Sequence, residues 1–167
     1  MGVRWIPLAF ALTAPPLLAC APAEHPASIA HPLLAQPLPA FRRGTLGGAV
    51  FDSAQAAGKV VLVKFFADYC EPCKATLPAA ERVHRKHPDV VFVGVDEDET
   101  AASAGTLVER YALSFPIIHD DGNVLSGRFR VTAMPMTFVA DRAGVIRWVG
   151  GEGQTEDDMV GAVEQWR

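Results

Sequence analysis

The chain has 167 residues, of which 50% are hydrophobic and 20% are charged, and its formal net charge is −4. This length suits one compact domain with additional segments, and the composition is not that of a disordered protein. Mild acidity and the lack of a basic run in the sequence argue against nucleic-acid binding. The chain has only three cysteines, so the position of each one is informative.

The first residues differ in composition from the rest of the chain. A proline-interrupted apolar stretch follows a single arginine and ends in the letters LLAC at residues 17–20. It is too short to span a membrane, which takes about 20 apolar residues, and it is typical of an export signal. The ending resembles the lipobox of bacterial lipoproteins, in which the cysteine becomes the lipidated first residue. We therefore expect a signal peptide over residues 1–19 and a lipid on Cys20, in preference to an ordinary signal peptide or an uncleaved anchor.

Residues 20–44 are predicted to form a Pro/Ala-rich linker. Residues 21–40 contain five prolines, and proline lacks the N–H donor that a helix or a central strand needs. A semi-rigid spacer of this kind would separate the lipid from a folded domain over residues 45–167. Packing of the PLLAQPL segment against that domain is the less favoured alternative.

The pattern of residues 45–167 predicts an α/β fold. Short apolar runs predict strands at residues 60–66, 90–95, 136–140 and 145–149. Helical periodicity predicts helices at residues 71–86, 103–113 and 123–129, and a last helix that Thr155 caps. The first strand, helix and second strand form a right-handed βαβ unit, and turn residues 141–144 make the last two strands a hairpin. One central mixed β-sheet flanked by helices is therefore expected.

Cys70 and Cys73 lie at the predicted junction between the first strand and the helix that follows it. Cys70 falls at the helix N-cap, and Pro72 is tolerated in the first turn. Free N–H groups and the helix dipole then favour the thiolate of Cys70, which is the attacking species in thiol–disulfide exchange. Cys73, one turn later, is placed to attack the resulting mixed disulfide and release the product.

Other uses of the cysteine pair are less well supported. His84 and His87 complete a superficial zinc-ligand spacing, but on one helix His84 lies about 16 Å from Cys73, whereas zinc ligands lie within about 2.3 Å of the metal. No metal site is therefore expected, and the acidic residues 96–99 are predicted to form a solvated loop. A structural disulfide would close too short a loop to stabilise the fold much. Copper delivery with His119 beside the thiols stays open as an alternative.

The stretch VLVKFFADYCEPCKATLP, at residues 61–78, resembles the active-site region of the thioredoxin fold. More narrowly, it resembles the membrane-tethered bacterial thiol–disulfide oxidoreductases of the TlpA/ResA type. The similarity covers roughly residues 45–166 and includes VVFVGVDED, FPIIHDDGNVLSGRFRV and AMPMTFVADRAGVIRWVGG. It implies a thioredoxin-like fold in which Pro135 is cis and faces the cysteines. The backbone of Met134 would then be free to bind an extended substrate segment.

Three positions depart from that pattern. Tyr69 precedes the first cysteine where the family usually has Trp. Six residues before Cys70, where thioredoxins carry a buried Asp that helps move the second cysteine's proton, this chain has Lys64. Its ammonium either favours the thiolate or extends to solvent. Thr76 stands where many tethered reductases have Glu, so a bound water is the expected proton acceptor for Cys73.

Glu71, between the cysteines, bears on the direction of electron flow. Its negative charge beside Cys70 disfavours the thiolate, although an acid in the first turn of a helix is structurally ordinary. Because a more stable thiolate makes a more oxidising pair, Glu71 favours a reductant, and Lys64 favours the opposite. The sequence leaves the direction of electron flow open.

The sequence as a whole predicts a lipid-anchored, extracytoplasmic thiol–disulfide oxidoreductase of the bacterial cell envelope. Cys70 attacks and Cys73 resolves, without any cofactor beyond their disulfide. The residues expected to dock the substrate or tune the pair are Met134, Pro135, Tyr69, Glu71, Pro72 and Lys64. Expected partners are protein disulfides or dithiols and a membrane electron donor or acceptor, and the default expectation is a monomer. The resemblance implies a role in envelope disulfide reduction, such as cytochrome c maturation; the alternatives are a copper metallochaperone and an adaptor with a static disulfide.

Overall fold

The computed structural model describes residues 1–2 and 28–167. The predicted signal peptide and the lipidation site at Cys20 lie outside the described residues, apart from the first two residues of the chain. Within the described part, the chain forms the following elements in order: β1 (Arg42–Gly44), β2 (Val50–Asp52), β3 (Val61–Phe66), α1 (Glu71–Lys86), β4 (Val91–Asp96), α2 (Ala101–Tyr111), β5 (Ile117–His119), α3 (Val124–Phe129), β6 (Met136–Ala140), β7 (Ile146–Gly150) and α4 (Glu156–Trp166).

The strand β3 is the centre of a five-stranded sheet with the order β5-β4-β3-β6-β7. It runs parallel to β4 and antiparallel to β6. The outer pairs continue this arrangement, since β5 is parallel to β4 and β7 is antiparallel to β6. The predicted mixed sheet, βαβ unit and terminal hairpin are therefore all present. The strands β1 and β2 form a separate antiparallel pair.

All six residues of β3 are buried because alternate side chains enter different cores. Leu62 and Phe66 pack into a cluster that includes side chains of α1 and α4. Val63 and Phe65 point to the other face, where they join a cluster that includes side chains of α3. This two-sided burial fixes the end of β3, and with it the start of α1.

The helix ends follow local chemistry. Thr155 caps α4 as predicted, since its hydroxyl accepts the N–H of Asp158 at 3.1 Å and the Asp158 carboxylate accepts the N–H of Thr155 at 2.8 Å. The helix α2 starts and ends two residues earlier than predicted, because Ala112 adopts a left-handed conformation with φ of 48° and stops it. In the described part of the chain, every helix is too short or too polar to cross a membrane.

The segment before β1 is part of the folded domain, so the predicted linker boundary at residue 44 is wrong for residues 28–44. The N–H groups of Ile29 and Ala35 donate to backbone carbonyls of β7 at 2.9 and 2.8 Å. Leu33, Leu34 and Leu38 pack against the core on the α3 side, and Phe41 is only 4% exposed. The segment covers the outer edge of β7, which would otherwise present unpaired backbone groups.

We predict that a chain beginning at residue 45 is less stable than one beginning at residue 28. The expected loss in the free energy of unfolding is at least about 3 kcal/mol, because removing one buried Phe side chain alone costs about that much. Urea unfolding followed by tryptophan fluorescence measures the difference. Phe41→Ala in the longer chain should reproduce much of the loss, whereas Val50→Ala, at an exposed position, should not. Equal stability of the two chains would restore the spacer interpretation.

Candidate active site

Cys70 and Cys73 lie where β3 is followed by α1, and they form a disulfide with their Cα atoms 5.2 Å apart. Cys70 is the N-cap of α1, and its Sγ accepts the backbone N–H of Cys73 at 3.2 Å. The predicted direction of a helix N–H toward Cys70 is therefore confirmed. Cys70 is 6% exposed and Cys73 is fully buried. Of the two cysteines, only Cys70 has any exposed surface, so it is the one that another molecule can approach.

Pro135 and Met134 lie at the start of β6. The peptide bond between them is cis, as the family resemblance implies. Pro135 is buried, and the half-buried side chain of Met134 packs against the cluster that contains both cysteines. The structure therefore brings these two predicted docking residues to the same end of the domain as the cysteine pair.

The surface around the pair carries an aromatic residue and paired charges. Tyr69 is 69% exposed, and the pKa of its hydroxyl is raised by partial burial and by the neighbouring carboxylates of Glu97 and Asp98. Glu71 lies 3.3 Å from the ammonium of Lys74. Lys74 offsets the charge of Glu71, and both groups reach solvent. Glu71 therefore disfavours the Cys70 thiolate less, and favours a reductant less, than its position in the sequence suggests.

Lys64 is buried in the core rather than extended to solvent, so the solvent-exposed alternative is wrong. Its side chain is 1% exposed, and its ammonium Nζ lies 3.4 Å from Thr137 Oγ1. Lys64 pairs with Thr137 across β3 and β6 and with Gly94 across β3 and β4. Burial lowers the pKa of Lys64 from 10.5 to about 7, so at neutral pH a large fraction of its amine is uncharged.

The acidic loop after β4 is partly buried, so the prediction of a solvated loop is wrong for Asp96 and Asp98. Both carboxylate oxygens of Asp98 accept the backbone N–H of Asp68 at 3.0 Å, which holds the loop that leads to Cys70. Asp96 is fully buried, and its Oδ2 lies 3.0 Å from Nδ1 of His119. Burial and the hydrogen bond with Asp98 raise the pKa of Asp96 to about 7. The sequence analysis did not predict that Asp96 and Asp98 are buried and hydrogen-bonded. The position of Asp96 at the end of a buried strand could have indicated it.

The two histidines near the end of α1, His84 and His87, are engaged away from the cysteines. The ring of His84 packs against those of Phe92 and Phe115, with centroids 5.1 and 5.7 Å apart. His87 is buried next to Arg167, so the predicted exposed helix end is wrong for this residue. Among residues 28–167, no three His, Cys, Asp or Glu side chains come together in a way that could hold a metal ion. The zinc-like spacing and a ligand set of His119 with both thiols are therefore not assembled.

Residues 34–149 match the AhpC/TSA family. The chain belongs to this family. It is 28% identical over 130 residues to the thiol–disulfide oxidoreductase ResA of Bacillus cereus, covering 76% of this chain and 75% of that protein. It is 30% identical over 130 residues to the thioredoxin-like protein YneN of Bacillus subtilis, covering 74% of this chain and 75% of the relative.

A solved structure extends the comparison to the fold. A secreted disulfide oxidoreductase of Mycobacterium tuberculosis, described as homologous to DsbE of Escherichia coli, is similar with a TM-score of 0.70 and 26% identity. The match covers 75% of this chain and 95% of that one. The thioredoxin-like fold, the resemblance to ResA-type proteins and the enzyme class of thiol–disulfide oxidoreductase are confirmed. The family match begins before residue 45, in agreement with the packing of the preceding segment.

We predict that Lys64→Met stabilises the disulfide form at neutral pH. The folded state releases the Lys64 proton near pH 7, whereas the unfolded chain keeps it until about 10.5. Between these values the unfolded state binds more protons, so the wild type gains stability as pH rises. The variant should therefore be more stable by on the order of 4 kcal/mol at neutral pH, with a gain that disappears toward high pH.

Urea unfolding across that pH range tests this prediction. Lys59→Met is the matched control, because Lys59 is exposed two residues before β3 and its replacement should leave the pH dependence unchanged. A Lys64→Met variant whose stability differs from the wild type by the same amount at every pH would contradict the predicted titration of a buried amine.

Proposed function

We propose that this protein reduces or exchanges disulfides in other proteins outside the cytoplasm through its Cys70–Cys73 pair. The observation that carries the proposal is the position of the two sulfurs. Sγ of Cys70 accepts a backbone N–H at the start of α1, and Cys73 is buried behind it. This arrangement stabilises negative charge on the sulfur that a partner can reach, and it keeps the second thiol for the intramolecular step.

The reaction proceeds in two exchanges. In the reduced protein the thiolate of Cys70 attacks a substrate disulfide, which forms a mixed disulfide and releases the first substrate sulfur. Cys73 then attacks Sγ of Cys70, so that the protein disulfide forms and the second substrate sulfur leaves. Two electrons pass from the protein to the substrate, and a membrane electron donor restores the dithiol. The reverse sequence of steps oxidises a substrate dithiol.

The substrate is proposed to lie across the exposed end of the pair. The backbone at Met134 offers hydrogen bonds to an extended segment in the manner of an added strand. Tyr69, which is largely exposed, offers an apolar face beside Cys70. Pro135 closes this end, while Pro72 and Glu71 shape the turn between the cysteines. A folded protein or a peptide with an accessible disulfide suits such an open surface. The enzyme is proposed to act as a monomer.

The proposed location is the bacterial cell envelope on the extracytoplasmic side. The apolar start of the chain and the LLAC letters that end at Cys20 support export and lipid attachment. A structural relative described as secreted agrees with export. Envelope disulfide reduction, including the reduction of apocytochrome c before haem attachment, is the proposed physiological role, because the pair needs a compartment in which substrate disulfides form.

We predict that a Cys73→Ser variant accumulates mixed disulfides on Cys70, because it attacks substrates but lacks the resolving thiol. Mass spectrometry of the trapped species in cells identifies the substrate proteins. Cys70→Ser is the matched control and should trap far less, since Cys73 is fully buried. Equal trapping by the two variants would refute the assignment of attacking and resolving cysteines.

Copper transfer is separated from this proposal by two assays on the same protein. Disulfide exchange predicts that the protein catalyses insulin reduction by dithiothreitol and binds copper(I) no better than an isolated dithiol. Stoichiometric, tight copper(I) binding without insulin reduction would favour the metallochaperone instead. An adaptor with a static disulfide would show neither activity.

A further inference from the structure

The loop between β3 and α1 holds Cys70 through its backbone. The N–H of Cys70 donates to the carbonyl of Ala67 at 3.2 Å, which closes the loop into a turn. Within this turn the N–H of Asp68 donates to both carboxylate oxygens of Asp98, each at 3.0 Å. Asp98 is only 8% exposed, so water competes little for this hydrogen bond. A side chain from the loop after β4 therefore fixes the backbone two residues before the attacking cysteine.

Asp98 is in contact with a second carboxyl group, that of Asp96 at the end of β4. Asp96 is fully buried, its Oδ2 lies 3.0 Å from Nδ1 of His119, and its carboxyl group hydrogen-bonds with that of Asp98. In the described part of the chain, Oδ1 of Asp96 is buried without a donor. Such an oxygen is costly, and two adjacent carboxylates repel each other. One proton on Asp96 removes both costs, because a protonated carboxyl group donates to the Asp98 carboxylate.

The acids on the β5 side of this contact have partners of their own. Glu97 accepts the hydroxyl of Ser126, and Asp120 accepts the backbone N–H of the same residue at 2.8 Å. Both carboxylates are thereby directed to the start of α3. From this side, His119 is the titratable group that contacts Asp96.

The charges on the helix side lie at the surface of the turn. The carboxylate of Asp68 faces Lys74 of α1 at 3.6 Å and Arg110 of α2 at 3.7 Å, and all three side chains reach solvent. The hydroxyl of Tyr69 is the other titratable group here, and its pKa is raised by partial burial and by the neighbouring carboxylates. These groups surround the hydrogen bond between Asp98 and the backbone without replacing it.

We propose that Asp98 is a positioning residue for the attack by Cys70, and that a proton on Asp96 keeps Asp98 on the N–H of Asp68. This inference rests on the proposed function, in which Cys70 is the attacking residue. Loss of the proton to solvent leaves two negative carboxylates side by side in a buried site, and their repulsion moves Asp98 away from the turn. Burial and the hydrogen bond with Asp98 raise the pKa of Asp96 to about 7. Cys70 is therefore held for attack at mildly acidic and neutral pH and is held less firmly as the solution becomes alkaline.

Amide hydrogen exchange measured by NMR on the full chain with Cys20→Ser reports this hydrogen bond directly. The measured quantity is the protection of the Asp68 N–H relative to its intrinsic exchange rate at the same pH. In the wild type it should fall by about tenfold between about pH 6 and 8, as expected for the loss of one hydrogen bond to a charged group. In Asp96→Asn it should stay high, because the amide group donates to Asp98 at every pH. In Asp98→Asn it should be low at every pH.

The rate of attack by Cys70 tests the consequence for the reaction. The same protein, reduced, is mixed in a stopped-flow instrument with dithiodipyridine, an uncharged aromatic disulfide, and the first release of coloured thiopyridone reports the attack. Above about pH 7 the wild-type rate should rise less than the titration of a single thiol predicts. Asp96→Asn should follow a single titration and exceed the wild type several-fold at alkaline pH. Asp98→Asn should be slower by about tenfold throughout.

Glu99→Gln is the matched control, because Glu99 is an exposed acid next to Asp98 and its replacement should leave both measurements unchanged. The same loss of Asp68 protection in the wild type and in Asp96→Asn would overturn the proposal, and so would unchanged protection and attack rate in Asp98→Asn. If Asp98→Asn does not fold, the comparison of the wild type with Asp96→Asn decides alone. A wild-type Cys70 that does not attack, with the amide behaving as expected, would instead overturn the proposed function.

Discussion

The burial of β3 on both faces is the constraint on which the rest of the structure depends. Its six residues supply side chains to both cores, so the strand cannot slide or turn without exposing one of them. The chain leaves this fixed strand at Phe66 and reaches Cys70 four residues later, at the first turn of α1. The position of the Cys70 sulfur is therefore set by the packing of the core. The same burial encloses Lys64, since every side chain of the strand has to enter a core.

The electrostatics of the site follow from this placement. The backbone N–H of Cys73 points at Sγ of Cys70, which favours negative charge on that atom. Charges at the surface are largely offset, because Lys74 lies between Asp68 and Glu71.

Much of the fold could be predicted from the sequence because its signals are local. The apolar runs of β3, β4, β6 and β7 and the periodicity of α1 lie within one or two residues of their predicted bounds. The three-residue strands β1 and β2 were missed, because so short a segment shows no periodicity. The packing of residues 28–44 was predicted only as the less favoured alternative and only for the PLLAQPL segment, since prolines excluded a helix but did not reveal the open edge of β7. The cysteines were recognisable from their spacing and position. The burial of Lys64 and Asp96 could not be recognised from the sequence, because it depends on which elements of the fold cover these two side chains.

The central claim is that the disulfide of the folded protein is a reactive redox centre. Treatment with dithiothreitol in the absence of denaturant, followed by alkylation and mass measurement with circular dichroism in parallel, tests it most directly. The account predicts that Cys70 and Cys73 are both alkylated while the fold is retained, and that removal of the reductant with added oxidised glutathione restores the disulfide. A disulfide that resists reduction until the domain unfolds would contradict the account and identify the bond as a structural crosslink.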